Sequence, residues 1–137
     1  MFNKVLVPYD GSVFSDKALE TAKGMAEAYG VQLLVLNVVP VPGVTAASAQ
    51  EITDSGKLTT NEVIEKAKTQ LGDMAAKAEY KVAMGNAAKT ILNVGMLEQC
   101  KLIVMGSRGL TGFSELLMGS VSTKVVQLAK IPVMVVK

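Results

Sequence analysis

Between Gly30 and Pro40 the chain reads Val31-Gln32-Leu33-Leu34-Val35-Leu36-Asn37-Val38-Val39, apolar at almost every position and rich in β-branched residues. A strand with one wet face would alternate apolar and polar side chains. This stretch does not alternate, so it needs cover on both faces, as strands of a parallel sheet do. The flanking segments supply that cover. Val5 to Val7 forms a short apolar run that stops in the turn cluster Pro8-Tyr9-Asp10-Gly11-Ser12. Ser12 or Ser15 is placed to cap a helix in which Ala18, Leu19, Ala22, Met25, Ala26 and Tyr29 recur at helical spacing, with Gly30 as its terminator.

Residues 40–57 carry Pro40, Pro42, Gly43 and several Ala, Ser and Thr, and read as a loop with room for one helical turn. A second helix follows, with Val63, Ile64, Ala67, Leu71, Met74 and Ala78 on one face. Tyr80, Val82 and Met84 then alternate with Lys81 and Ala83, which predicts a strand with one wet side near a sheet edge. Gly85 opens a third helix with Ala88, Ile91, Leu92 and Gly95 inward, and Leu102 to Met105 forms a fourth strand. Val121 to Lys130 is a last helix and Pro132 to Val136 a last strand. The order β-α-β-α-β-α-β-α-β implies an open parallel sheet with helices on both faces, in one domain spanning residues 1–137.

Composition narrows the function. Net charge is +2 and the aromatics are three Tyr and three Phe with no Trp, which argues against nucleic acid as a partner and against a membrane surface. The absence of His removes His-based triads, His general bases and His metal sites together. Cys100 is the only cysteine, so no intrachain disulfide forms, and its apolar setting predicts an inert core thiol. The opening MFNKVLVPYDGS is too short, and too soon broken by Pro8 and Asp10, for a signal peptide. No apolar run approaches the roughly 20 residues of a membrane span. A cytoplasmic, soluble protein is expected.

The stretch that carries chemistry is Met105-Gly106-Ser107-Arg108-Gly109-Leu110-Thr111-Gly112-Phe113-Ser114-Glu115-Leu116-Leu117-Met118-Gly119-Ser120-Val121-Ser122. It leaves the carboxyl end of a buried strand and ends at a helix N-terminus. Glycines let backbone N–H groups come close to a ligand. A helix N-terminus adds unpaired donors and partial positive charge, which suits phosphate. Ser120 and Ser122 add hydroxyls, and Arg108 a full charge. The spacing is neither that of the P-loop nor G-x-G-x-x-G. The alternative is a glycine-rich crossover whose serine only caps the helix. Asp10, taken alone, reads as a turn residue; Val38 and Met105 read as core; Arg108 reads equally as a solvated loop cation.

The spacing Gly106, two residues, Gly109, nine residues, Gly119-Ser120 resembles the ATP-binding signature of universal stress proteins, G-x2-G-x9-G-[ST], at every defined position. Lys4 to Ser12 resembles that family's opening strand and acidic turn, Leu34 to Val39 its second strand, and Ile131 to Val136 its closing Pro-Val-x-Val-Val strand. Asn37, Lys101 and Gly85-Asn86-Ala87-Ala88 depart from common family residues without touching the phosphate signature. The resemblance implies a Rossmann-like, adenine nucleotide alpha hydrolase-like α/β fold, a five-stranded parallel sheet ordered 3-2-1-4-5. It implies that Pro8, Tyr9 and Asp10 lie against the nucleoside, with the Asp10 carboxylate on the ribose hydroxyls. It implies that Val38 meets the adenine and that Met105 lines its pocket. Gly106, Arg108 and Gly109 would border ribose and phosphates; Gly119, Ser120, Val121 and Ser122 would hold the phosphates.

Three functions follow as expectations. The first is a nucleotide-dependent regulatory or stress-response protein that binds ATP, with Mg²⁺ or Mn²⁺ on the phosphates. The second is a slow ATPase or phosphotransferase, for which Asp10 and Glu115 are the only acids in or beside the motif and neither is a committed base. The third is a structural dimer without nucleotide. A receiver domain is excluded because Gly85 and Asn86 stand where its phosphorylatable Asp belongs, and Asp10-Gly11-Ser12 is too little for a flavodoxin-type phosphate loop. The last strand is apolar from Ile131 to Val136, so it lies inside the sheet or is covered by a partner. A homodimer through residues 132–136 is expected.

Overall fold

In the computed structural model, residues 2–41, 58–108 and 118–137 are described. The elements are β1 (Lys4–Pro8), α1 (Val13–Tyr29), β2 (Gln32–Val39), α2 (Thr60–Leu71), a 3₁₀ segment (Gly72–Lys77), β3 (Glu79–Met84), α3 (Ala87–Leu97), β4 (Leu102–Gly106), α4 (Ser120–Leu128) and β5 (Val133–Val136). The five strands form one parallel sheet in the order β3-β2-β1-β4-β5. This is the Rossmann-like order expected.

The unalternating strands are central. Leu33 to Asn37 of β2, Val5 to Val7 of β1 and all of β4 are buried. Their side chains divide by parity. Val5, Val7, Leu33, Val35, Leu102 and Val104 join one cluster with Ala18, Leu19 and Ala22 of α1 and Val63, Ala67 and Leu71 of α2. Leu6, Leu34, Leu36, Ile103 and Met105 join the other, with Ala88, Ile91 and Val94 of α3 and Val125 of α4. Fully burying each of the Val, Leu, Ile and Met side chains among these contributes about 1.5–3 kcal/mol, which favours cover on both faces.

Local signals set most helix ends. Ser12 caps α1, its hydroxyl accepting the Ser15 N–H at 3.2 Å, and the Gly30 N–H closes the helix on Ala26 O. Thr59 and Glu62 form a reciprocal capping box on α2, and Asn86 caps α3. Sequence and structure differ at the second helix. It stops at Leu71 because Gly72 takes φ +57°, and the chain continues as the 3₁₀ segment. Met74 and Ala78 nevertheless pack on the core.

Both sheet edges behave instructively. β3 is an edge strand, as its alternation predicts, but only part of its apolar side is dry. The Tyr80 phenol donates to Ala75 O of the 3₁₀ segment at 2.8 Å, whereas Val82 and Met84 are 47% and 59% exposed. The 3₁₀ segment thus meets the start of that strand at Tyr80. Among the described residues β5 pairs only with β4, so it is the other edge of this sheet and not an interior strand. Met134 on it is 40% exposed. The last helix begins one residue earlier than expected and ends at Leu128, with Ala129 already extended. Among the described residues no helix is long and apolar enough to cross a membrane.

Candidate functional site

In an open parallel sheet, ligands collect at the carboxyl ends of two neighbouring strands whose connections leave in opposite directions. Here those strands are β1 and β4, paired through Val5 with Leu102 and Leu6 with Ile103. β1 crosses toward β2, and β4 toward β5. Pro8, Tyr9 and Asp10 leave the end of β1; Gly106, Ser107 and Arg108 leave the end of β4. The two halves of the sequence reading therefore meet at the switch point. Gly109 and Glu115 lie outside the described residues, as does most of segment 40–57.

The β4–α4 connection is tied at its base. The Gly119 N–H donates to Ser107 O at 2.8 Å, and the Ser122 hydroxyl donates to the same oxygen at 2.7 Å. The Ser107 N–H donates in turn to Val136 O at 2.9 Å. Ser107 thus joins β5, β4 and α4. Its signal in the sequence is faint, a serine in a glycine-rich run. Because the Ser122 hydroxyl proton is directed inward, the group Ser122 offers an anion is its backbone N–H.

The N-terminus of α4 differs from those of α1, α2 and α3, which are capped by the side chains of Ser12, Thr59 and Asn86. Its N-cap is Gly119, which has no side chain, and no side-chain cap bond is formed. The Thr123 N–H reaches back to Gly119 O, so the donors without intrahelical partners are those of Ser120, Val121 and Ser122. Those three donors, with the helix dipole behind them, suit an anion.

Val38, Met105 and Val121 fall in one apolar cluster, on the α3/α4 face of the sheet. β2 runs on past the last register pair with β1, Pro8 with Leu36, so Asn37, Val38 and Val39 overhang the end of β1. This makes an apolar wall beside an open strand edge. Tyr9 faces the other way. Its side chain is buried among the α1/α2 cluster, and its phenol donates to Asp16 Oδ1 at 2.6 Å. Burial first, then that hydrogen bond and the charges of Asp16 and Asp10, push the phenol far above its usual pKa. The Tyr9 carbonyl accepts from Asn37 Nδ2 at 2.9 Å, and its N–H donates to Leu36 O. Asn37, the polar residue interrupting an apolar run, is buried to make that bond.

The Asp10 carboxylate accepts the Ser12 N–H on Oδ1 at 3.0 Å, an Asx turn that also starts α1. Gly106 is explained by packing: a Cβ there would sit 2.8 Å from Phe14 C, Cβ and O. Arg108 lies with its guanidinium carbon 4.3 Å from the centre of the Phe14 ring. Phe14 is the contact that sequence reasoning missed, because nothing in Val13-Phe14-Ser15 hints that it abuts a strand end. Cys100 is free and buried, and burial pushes its thiol pKa up. Among the described residues no group of three or more His, Cys, Asp or Glu is arranged to hold a metal.

The whole chain, residues 1–137, matches the Universal stress protein family. This chain belongs to that family. A curated relative, the universal stress protein YxiE of Bacillus subtilis, is 37% identical over the full length of both chains. The solved structure of MJ0577, a universal stress protein of Methanocaldococcus jannaschii, superposes with a TM-score of 0.80 at 26% identity, covering 100% of this chain and 96% of that one. Two further solved universal stress proteins share the fold with TM-scores of 0.70. One, from Archaeoglobus fulgidus, is in complex with dAMP, at 21% identity with 100% and 98% covered. The other is in complex with cAMP, at 24% identity with 98% and 97% covered.

Proposed function

We propose that this universal stress protein binds an adenine nucleotide at the β1/β4 switch point, with ATP carrying Mg²⁺ or Mn²⁺ on its phosphates as the ligand. The observation that carries the reading is the α4 N-terminus, where a glycine cap leaves the N–H groups of Ser120, Val121 and Ser122 for an anion. In this reading the phosphates rest there, with Gly109 and Arg108 beside them. The nucleoside lies against Val38, Met105 and the Pro8–Asp10 turn, and Asp10 accepts from the ribose hydroxyls. The solved dAMP and cAMP complexes of relatives support an adenine nucleotide as the class. The metal rides on the phosphates, not on a protein cage.

The role is that of a cytoplasmic, nucleotide-dependent regulatory protein, and the unit is a homodimer. An apolar edge strand, Val133 to Val136, supports pairing with a second copy. Catalysis is not assigned, since Asp10 is engaged in its turn and serves the ribose in this reading. The test uses protein purified without added ligand. It is denatured, and the released nucleotide is resolved by anion-exchange chromatography and counted per chain. Near-stoichiometric adenine nucleotide is expected in the parent and none in Gly119→Val/Ser120→Val with its circular dichroism unchanged. No nucleotide, together with no thermal shift on adding ATP and Mg²⁺, sinks the reading in favour of a structural dimer. Loss of turnover with binding retained in Asp10→Ala would instead favour a slow ATPase.

A further inference from the structure

The turn that carries Asp10 is held from α2 as well as from its own strand. Lys66 Nζ donates to Gly11 O at 2.6 Å and to Asp16 Oδ2 at 3.0 Å. Asp16 Oδ1 takes the Tyr9 phenol at 2.6 Å, and the Gln70 side-chain amide donates to Asp16 O at 2.6 Å. Asp10 sits between the two residues this network grips, Tyr9 by its phenol and Gly11 by its carbonyl. Gly11 itself has φ +83°, and a Cβ there would meet Leu58 Cδ1 at 3.2 Å and Val63 Cγ2 at 3.9 Å, so α2 and its lead-in stand close over the turn. The Lys66–Asp16 pair is partly exposed, with side chains 43% and 30% accessible. A pair of that kind adds little to global stability. Its place in the fold is better explained by the geometry it imposes on the turn.

We propose that Lys66, acting through Gly11, Asp16 and Tyr9, is a positioning residue that holds the Asp10 carboxylate ready for the ribose hydroxyls of the nucleotide. The inference rests on the adenine-nucleotide reading above and deepens it. A carboxylate held in place before the ligand arrives does not have to be ordered at the moment of binding, and affinity rises accordingly. The network ties α2 to the ribose acid, so a change at α2 that never touches the nucleotide is felt in ribose recognition.

The test is calorimetric titration of the full chain with ATP and with 2′,3′-dideoxy-ATP, each with Mg²⁺. Lys66→Met keeps most of the aliphatic stem and removes the ammonium. The parent is expected to prefer ATP. Lys66→Met should lose roughly tenfold in affinity for ATP and little for dideoxy-ATP, the size expected when a preorganised contact is loosened. Lys66→Arg should restore most of the preference. In an Asp10→Ala background, which removes the acceptor, the preference should already be lost, and Lys66→Met should cost nothing more. Thermal unfolding of each ligand-free variant checks the fold. Should Lys66→Met not fold, Tyr9→Phe removes a single oxygen of the same network and gives the same comparison. A variant that binds ATP as the parent does, or that loses equally toward both nucleotides, overturns the inference and leaves the nucleotide reading standing. A parent that binds both nucleotides equally also overturns it, because Asp10 then has no ribose role to position. A parent that binds neither removes the nucleotide reading, and this inference falls with it.

Discussion

Two glycines of the same motif make opposite predictions. At Gly106 a Cβ would lie 2.8 Å from three atoms of Phe14, two of them backbone. Ordinary carbon contacts sit at about 3.5–4.0 Å, so Gly106→Ala has to push the start of α1 off β4 by several tenths of an ångström. Backbone conformation plays no part, because Gly106 is not among the positive-φ glycines. Overpacking against a segment that cannot rotate away costs about 1–3 kcal/mol. For a chain of 137 residues that corresponds to roughly 3–15 °C in Tm. At Gly119 the nearest atoms to a Cβ among the described residues are Arg108 Cα at 3.4 Å and Ser107 O at 3.5 Å, near ordinary contact, and φ is −68°. Gly119→Ala should therefore cost about 0.5–1 kcal/mol, the preference for glycine over alanine at an N-cap, with no overpacking added.

Urea unfolding of both variants, followed by circular dichroism, measures the contrast. The expected result is a clear drop in midpoint for Gly106→Ala at unchanged slope, and a smaller drop for Gly119→Ala. Any loss of nucleotide binding in Gly119→Ala is then a local effect at the site. A neutral Gly106→Ala would refute the packing argument, since Phe14 would have to yield without penalty. A Gly119→Ala as damaged as Gly106→Ala would refute the distinction between them.

Other consequences are simpler to state. Leu6→Ala, at a fully buried position of the central strand, should lose about 2–5 kcal/mol in the same urea assay. Thr59→Ala, which opens the capping box of α2, should lose about 1 kcal/mol. The Cys100 thiol, buried and with its pKa raised chiefly by burial, should react with Ellman's reagent slowly in the native protein and at once in denaturant. The Glu98 carboxyl is held below its ordinary pKa, first by the Lys4 hydrogen bond and then by the charges of Lys81 and Lys4. A carboxyl depressed in the folded state stabilises above its unfolded pKa and loses that contribution as pH falls through the folded value. Glu98→Gln should therefore flatten the acid limb of a stability–pH profile.

The fold was legible because its strongest signals are physical necessities. A run such as Leu33 to Val39 has no solvated solution except an interior strand, and the helical spacing between the apolar runs supplies the two covering layers. The site was legible to the extent that spacing encodes backbone geometry, a strand end, a glycine and a helix start. What the chain does not announce is which way a side chain turns at a strand end. Tyr9 stands in the turn expected to touch the nucleoside, yet its ring goes to the α1/α2 cluster while Val38 and Met105 go to the other face. Phe14, Ser107 and Asn37 matter through contacts 28 to 92 residues away in sequence or through a single carbonyl, and no strong local pattern marks them. The split of the second helix at Gly72 was within reach, since a lone glycine in a helical pattern lowers the case for continuing it by about 1 kcal/mol.

Ser107 is common to the proposed nucleotide site and the proposed dimer edge. Its carbonyl accepts from Gly119 N–H and the Ser122 hydroxyl at the start of α4, and its N–H donates to Val136 O at the end of the edge strand β5. Two bonds thus separate the proposed phosphate cradle from the proposed pairing edge. If the proposed site is filled, a phosphate drawing on the α4 N-terminus would pull on Ser107, and Ser107 on the end of β5. Coupling of that kind is reciprocal: if ATP strengthens dimerisation by some factor, dimerisation strengthens ATP binding by the same factor. Sedimentation equilibrium with and without ATP and Mg²⁺ reads one side of this cycle, and titration of ATP at protein concentrations above and below the dimer midpoint reads the other. A coupling of about five- to a hundredfold is the usual range for linked sites. A dimer constant that is the same in both conditions would show that the shared residue transmits nothing, and that the edge and the cradle are neighbours only in space.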